Sequence, residues 1–342
     1  FSNVVVPETI VLKGGSTLRT SPSAGSSTLN GSLILGGNST ITLGGSSSPL
    51  RLNGRVFAMQ GSQLTVNGTG RLLLGNAANH FNGISLGAGT QLLLGAEPLL
   101  DNNPLTIAPA VAGAAGRAPI VNNGTVITNT NNGHMVLGNA ISGSGNFIQV
   151  RNTLYLTADN TYTGTTLAGG NFGFIGGGGL VGVANVNAEM RVGTDTYTGS
   201  VGTGAVTLQS SSGGNTNMRY HLARNVILAN TFNINPFNDG SNARNSTLLR
   251  QGTGTTIFSG IINAGSHTAG TQAQRAVLQT EGGGRMIIRG ELNNGPNNRI
   301  NIINNGFFAF EGTNNYELWG VISGNNAVVV STAGTVAVDR AR

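Results

Sequence analysis

The sequence holds 12 carboxylates: Glu8, Glu97, Asp101, Asp159, Glu189, Asp195, Asp239, Glu281, Glu291, Glu311, Glu317 and Asp339. Glycoside hydrolysis needs two such groups about 5–10 Å apart, one to donate a proton and one to attack or to activate water. These acids are single and scattered. Only Glu281 with Glu291, and Glu311 with Glu317, stand close enough in sequence to meet across neighbouring turns of a coil. Calcium-assisted lyase chemistry wants clustered aspartates, and "GGGGLVG" (176–182) lacks the aspartate of the calcium nonapeptide. His80, His134, His221 and His267 are isolated, without the His-x-x-x-His or His-Glu pairing that zinc favours, and read as turn or surface residues. No G-x-S-x-G elbow appears, and the glycine run at 176–179 lacks the G-K-[ST] of a phosphate cradle. Cysteine is absent, which removes thiol nucleophiles, thiolate metal sites and disulfides together. The expectation is a chain that is not an enzyme, with no cofactor and no metal.

Such sparse chemistry directs attention to the scaffold. Hydrophobic residues make up 38% of the 342 positions, enough for a core, while charged residues reach only 9% against a usual quarter. Glycine occurs 55 times without a Gly-X-Y period and proline only 9 times, which excludes collagen. The formal charge is +6, carried almost entirely by arginine, because Lys13 is the sole lysine. That balance fits scattered surface charge, or a weak preference for anionic partners such as acidic glycans or lipopolysaccharide. It lacks the dense basic patch or recognisable module of a nucleic-acid binder. No apolar run reaches the roughly 18 residues of a membrane-spanning helix.

Short alternating or apolar runs at 32–35, 39–43, 63–66, 71–74 and 91–94, each ended by Gly, Asn or Ser, read as strands of four to six residues. They repeat. "NHFNGISLGAGTQLLLG" (79–95) aligns with "NTYTGTTLAGGNFGFIG" (160–176) at a constant offset of 81 (79 to 160, 95 to 176), placing Phe81 on Tyr162 and Gly83 on Gly164. Imperfect repetition of strand–turn units favours a coil that climbs by rungs, each strand pairing with its equivalent one rung away at about 4.8 Å. Alternate side chains then fill the core, so Phe172 with Phe174, and Phe308 with Phe310, share the inward face. Tyr162 and Phe81 are expected at a corner, covering the core edge. Corners need positive φ or tight backbone, which accounts for glycine and for the asparagines of "NNG" at Asn123, Asn132, Asn294 and Asn305. Asparagines stacked rung upon rung can also ladder their amides.

The stretch "ISGSGNF…LYLTADNTYTGTTLAGG" (141–170) resembles the autotransporter-associated β-strand repeat, whose loose pattern is an "SG" turn followed by L-x-L-S-G-x-N-T-Y-x-G-x-T-x-x-x-G. "GTGRLLLGNAANHFNGISLGAGTQLLLG" (68–95) and "TTIFSGIINAG" (255–265) resemble further, decayed copies. The resemblance covers a third to a half of the chain. It implies an all-β, right-handed parallel β-helix (β-solenoid) exported to the bacterial surface or beyond. Passengers of this type end in a membrane β-barrel translocator, and no stretch of this sequence reads as one.

A single solenoid over 1–342 is expected, about 11–17 rungs of roughly 20–30 residues. Residues 97–134 form an irregular rung or excursion and 265–274 an exposed loop. Both ends are apolar strands: Val4, Val5, Val6, Ile10 and Leu12 at one, and Val328, Val329, Val330, Val336 and Val338 at the other. These are the expected assembly interface, because a head-to-tail contact between unlike faces does not close and so builds a fibre. The reading is an extracellular or cell-surface structural rod whose partners are other copies of itself, with surface glycans a second partner class. Two alternatives stand beside it. A monomeric passenger-type adhesin would hold a binding surface away from the cell, and a polysaccharide-degrading β-helix would use a carboxylate such as Glu281.

Overall fold

The computed structural model describes residues 3–21, 25–45, 49–76, 78–95, 118–129, 134–169, 187–193, 199–211, 214–221, 224–238, 243–265, 276–295 and 299–339. Among them there is no helix, and strands two to six residues long alternate with turns. They form a parallel β-solenoid. The antiparallel pairings among the described residues are Phe237–Asn238 with Ala243–Arg244 and one bridge between Ser211 and Gly214. The chain divides into two compact units, built mainly from Phe1–Gly164 and from Thr203–Arg342.

In the first unit each rung crosses three walls. One wall stacks Val5–Val6, Ser27–Leu29, Leu50–Leu52, Arg71–Leu74, Gln91–Gly95, Thr125–Asn129 and Asn146–Gln149. A second stacks Ile10–Leu12, Leu33–Leu35 and Val56–Ala58, and a third runs from Thr17–Arg19 to Ile141–Ser142. Val5 pairs with Thr28 and Thr28 with Arg51, so a rung takes 23 residues (5, 28, 51). Inward side chains stack like on like: Leu50, Leu72, Leu92, Val126 and Phe147 form one column, all buried. Burial of one such side chain stabilises by about 1.5–3 kcal/mol, and the columns repeat that gain at every rung.

The second unit is built the same way with a longer rung. Thr216 pairs with Ser246 and Ser246 with Ala276, a step of 30 (216, 246, 276). Its three walls contribute Tyr220, Phe232 and Phe258, which meet edge to face with ring centroids 5.2–6.4 Å apart. Phe308 and Phe310 share the core as their spacing requires, 5.5 Å apart. Phe172 and Phe174 lie outside the described residues.

Three expectations change. Tyr162 and Phe81 are not rims over the core edge but core residues, 0% and 5% exposed, with Tyr162 stacked on Phe147 at 5.9 Å. Of the expected irregular segment 97–134, the strands Ile120–Asn122 and Thr125–Asn129 sit in register in ordinary rungs; 97–117 and 130–133 lie outside the described residues, as does most of 265–274. The corner asparagines do not work through positive φ either, since among the described residues only Asn3 and Asn152 adopt it without being glycine. Their side chains instead receive the next rung. The Oδ1 atoms of Asn123, Asn294 and Asn305 accept from the backbone N–H of Ser144, Trp319 and Asn325 at 3.2, 2.6 and 3.1 Å. Amide ladders do form: Asn263 donates to Asn233, and Asn293 to Asn263, each at 2.9 Å.

Close approach explains a set of corner glycines that strain does not. A Cβ on Gly145 would collide with the carbonyl oxygen of Gly124 one rung below, and a Cβ on Gly164 with that of Gly145. Neither has a left-handed φ. Gly145→Ala is therefore expected to destabilise the first unit by about 1–3 kcal/mol through overpacking, whereas Gly15→Ala, where a Cβ meets open space at φ 80°, should cost only the local backbone strain of roughly 1 kcal/mol. Urea unfolding of the two variants checks the order.

Candidate functional site

The last described rung of the second unit pairs Val328–Thr332 on Phe307–Gly312, Val336–Asp339 on Tyr316–Trp319, and Ile322–Ser323 on Ile300–Asn304. The register sets Val328 on Phe308, Val330 on Phe310, Val336 on Tyr316 and Val338 on Leu318. Those four partners are 0–2% exposed, so the four valines point along the core axis. Yet Val330 and Val338 remain 54% and 48% exposed. Val329 differs. It pairs with Ala309, between the inward Phe308 and Phe310, and faces outward.

The first described rung of the first unit repeats the arrangement. Val6 pairs with Leu29, Ile10 with Leu33 and Leu12 with Leu35, all three partners being buried. Val4 is tied to the same rung, its carbonyl accepting from the Thr28 N–H at 2.8 Å. Val5 sits on the half-buried Thr28 and is 65% exposed, an outer-face residue like Val329. Val5 and Val329 thus leave the expected interface, and period-2 alternation from their neighbours was the signal that separates them. The same signal adds Leu18, paired with buried Ile41, and Ile322, paired with buried Ile302.

Polar side chains prepare each rung for the next. Asn187 Oδ1 accepts the N–H of Asn215 and Asn215 Oδ1 that of Asn245, both at 2.9 Å. Near the last rung, Asn315 Oδ1 accepts from the Thr335 N–H at 2.9 Å, and the Thr332 hydroxyl donates to the Gly312 carbonyl at 3.1 Å. These bonds satisfy corner donors that no strand ladder reaches.

The residues that could do acid–base chemistry are arranged otherwise. Glu281 precedes and Glu291 follows the strand Arg285–Ile288, at different corners. Glu311 closes Phe307–Gly312 and is held by Arg289 at 2.9 Å, while Glu317 lies on the next wall, in Tyr316–Trp319. Glu281 instead joins a cluster that bridges several rungs. Arg219 lies 2.9 Å from Glu189 and 3.5 Å from Glu281, Arg191 binds Glu189 at 2.9 Å, and Gln279 donates to Glu281 at 2.7 Å. Carboxylates that accept from guanidinium groups are held as anions, a clamp across rungs rather than a proton donor facing an acceptor. His80 stacks on Phe57 and His134 meets Tyr155 edge-on, at 5.5 and 5.4 Å; His267 lies outside the described residues. Among the described residues no group of three or more His, Asp or Glu could hold a metal ion, and no helix is long and apolar enough to cross a membrane.

Burial, rather than charge partners, sets the visible pKa shifts. It lowers Arg151, lowers Arg250 to about 10, and raises Tyr316 against a smaller opposing effect of Asn314. None of these groups lies in a cluster with an acid–base partner.

Fold and edges together define the class, a parallel β-solenoid with in-register apolar rungs. No protein-family model, curated protein or solved structure matches the chain.

Proposed function

We propose that this chain is a non-enzymatic structural protein of the cell exterior, a solenoid that extends by stacking copies head to tail. The observation that carries the reading is the register of Val328, Val330, Val336 and Val338 on Phe308, Phe310, Tyr316 and Leu318. Any rung presented with the same spacing would bury these valines and satisfy the open strand edge, and another copy's Val6, Ile10, Leu12 and Leu18 have the matching inward pattern. The arginine-held carboxylates agree with a structural role, as does a core made of repeated columns. Export and the autotransporter-type resemblance stand on the quoted repeat residues and on the absence of cysteine.

Removing residues 1–12 is a poor test, because it would bare Leu29, Leu33 and Leu35, which present a fresh apolar edge. Val330→Asp with Val338→Asp is cleaner. Both side chains are already about half exposed, so the monomer should fold, while a buried charge at the contact costs several kcal/mol. The parent chain is expected to form filaments by negative-stain electron microscopy and the double variant single particles. A parent that stays monomeric at all concentrations, or a variant that polymerises like the parent, overturns the reading.

A further inference from the structure

One wall of the first unit carries an outward column unlike its neighbours. Val11 pairs with Ile34, Ile34 with Phe57, and a parallel bridge continues the column to His80. Leu12, Leu33, Leu35, Val56 and Ala58 on the same strands fill the core, so the column faces away from it. Val11 is 56% exposed, Phe57 38% and, beside it, Met59 49%. On the third wall of the same unit the outward column is Thr17, Thr40, Thr65 and Ser85, hydroxyls throughout. One wall is built to meet water and the other to meet hydrocarbon.

Charge says which hydrocarbon. The Arg55 guanidinium lies 5.4 Å from the Phe57 ring centroid, and exposed Lys13 follows the first strand of the wall. Across residues 3–95 the cations are Lys13, Arg19, Arg51, Arg55 and Arg71, against the single carboxylate Glu8, at the corner that precedes the wall. A second copy of the wall would bring Arg55 and Lys13 against like charges, which disfavours self-pairing through this face.

We propose that this wall docks on an anionic lipid surface, with Val11, Phe57 and Met59 entering the boundary between head groups and acyl chains and with Lys13 and Arg55 meeting phosphates. Apolar area together with attraction to anionic head groups is what holds interfacial elements on membranes. Each cation near such a surface contributes about fivefold in affinity. The proposal is independent of end-to-end stacking, which uses inward residues of the terminal rungs.

Flotation of the full chain with vesicles of phosphatidylcholine mixed with phosphatidylglycerol, and with phosphatidylcholine alone, tests it. Binding is expected to the anionic vesicles only, and to weaken with added salt. Lys13→Ser with Arg55→Ser should weaken it about 25-fold, and Phe57→Ser roughly tenfold, with circular dichroism and melting unchanged because all three positions are exposed. Failure to bind anionic vesicles overturns the proposal, as does binding that both variants retain. Two further outcomes also overturn it by giving the wall another occupant: capture of polygalacturonate without vesicle binding, lost in the same variants, or a dimer in sedimentation that Phe57→Ser dissolves.

Discussion

Phe232→Ala is expected to lower the stability of the second unit by about 3–5 kcal/mol, the range for truncating a fully buried phenylalanine. Phe232 is 0% exposed and its ring centroid stands 5.2 Å from Phe258 and 6.4 Å from Tyr220. The three rings come from three different walls, so the cluster holds the walls to one another as well as filling the core. Edge-to-face pairs add about 0.5–1.5 kcal/mol beyond buried area. Because each rung rests on its neighbours, the loss should spread along the stack and broaden the unfolding transition, not only shift it. Urea unfolding followed by circular dichroism measures both midpoint and slope; a loss below about 1 kcal/mol would show that the cluster does not bear on the core as described.

Arg250 gives the second large effect. It is 0% exposed in an inward column between Tyr220 and Thr280, its Nη1 donates to the Tyr220 carbonyl at 2.9 Å, and its guanidinium lies where a Cβ on Gly254 would fall. Arg250→Ala empties that volume and is expected to cost about 2–5 kcal/mol. Arg250→Met keeps most of the volume and removes a desolvated charge, so its cost should fall to about 1 kcal/mol, the worth of the lost hydrogen bond. The pH dependence has a definite sign. Burial lowers the Arg250 pKa from 12.5 to about 10, so between those values the unfolded chain holds more protons than the folded one. The stability of the parent relative to Arg250→Met therefore rises with pH through that window, the penalty of the buried cation being fully present below it. Chemical unfolding of both proteins on either side of pH about 10 checks the sign, and a parent that loses ground to the methionine variant as pH rises contradicts it.

The offset of 81 residues between 79–95 and 160–176 has a structural meaning only in part. Asn79 Oδ1 accepts the N–H of Val56 at 2.7 Å and Asn160 Oδ1 that of Ile141 at 2.9 Å, so the aligned asparagines do the same work. Beyond that corner the copies diverge. Ile84–Leu86 lies on the third wall of the first unit, whereas Thr166–Ala168 belongs to the second unit, on a wall with Val206–Gln209. A more regular signal went unread: Asn233, Asn263 and Asn293 recur every 30 residues and stand in one hydrogen-bonded column. Uneven rung lengths of 20 to 30 residues blur any single period (Arg71 to Gln91, Thr216 to Ser246).

Composition and period-2 runs were enough to specify strands, corners and a stack of like on like, because each strand pairs with its own equivalent and the information is local. The inward or outward sense of each terminal valine was equally within reach, since alternation alone separates Val5 and Val329 from their neighbours. What only the tertiary structure decided is which outer faces are covered. Leu73, Leu93, Ile127 and Val150 form a buried cluster on the far side of a wall whose inward column is Leu72, Leu92 and Val126, while Val11 and Phe57 on another wall stay exposed. A three-residue apolar run reads alike in both places. Burial on the second side depends on what lies across the wall, and that contact is set by the fold rather than by the strand's own residues.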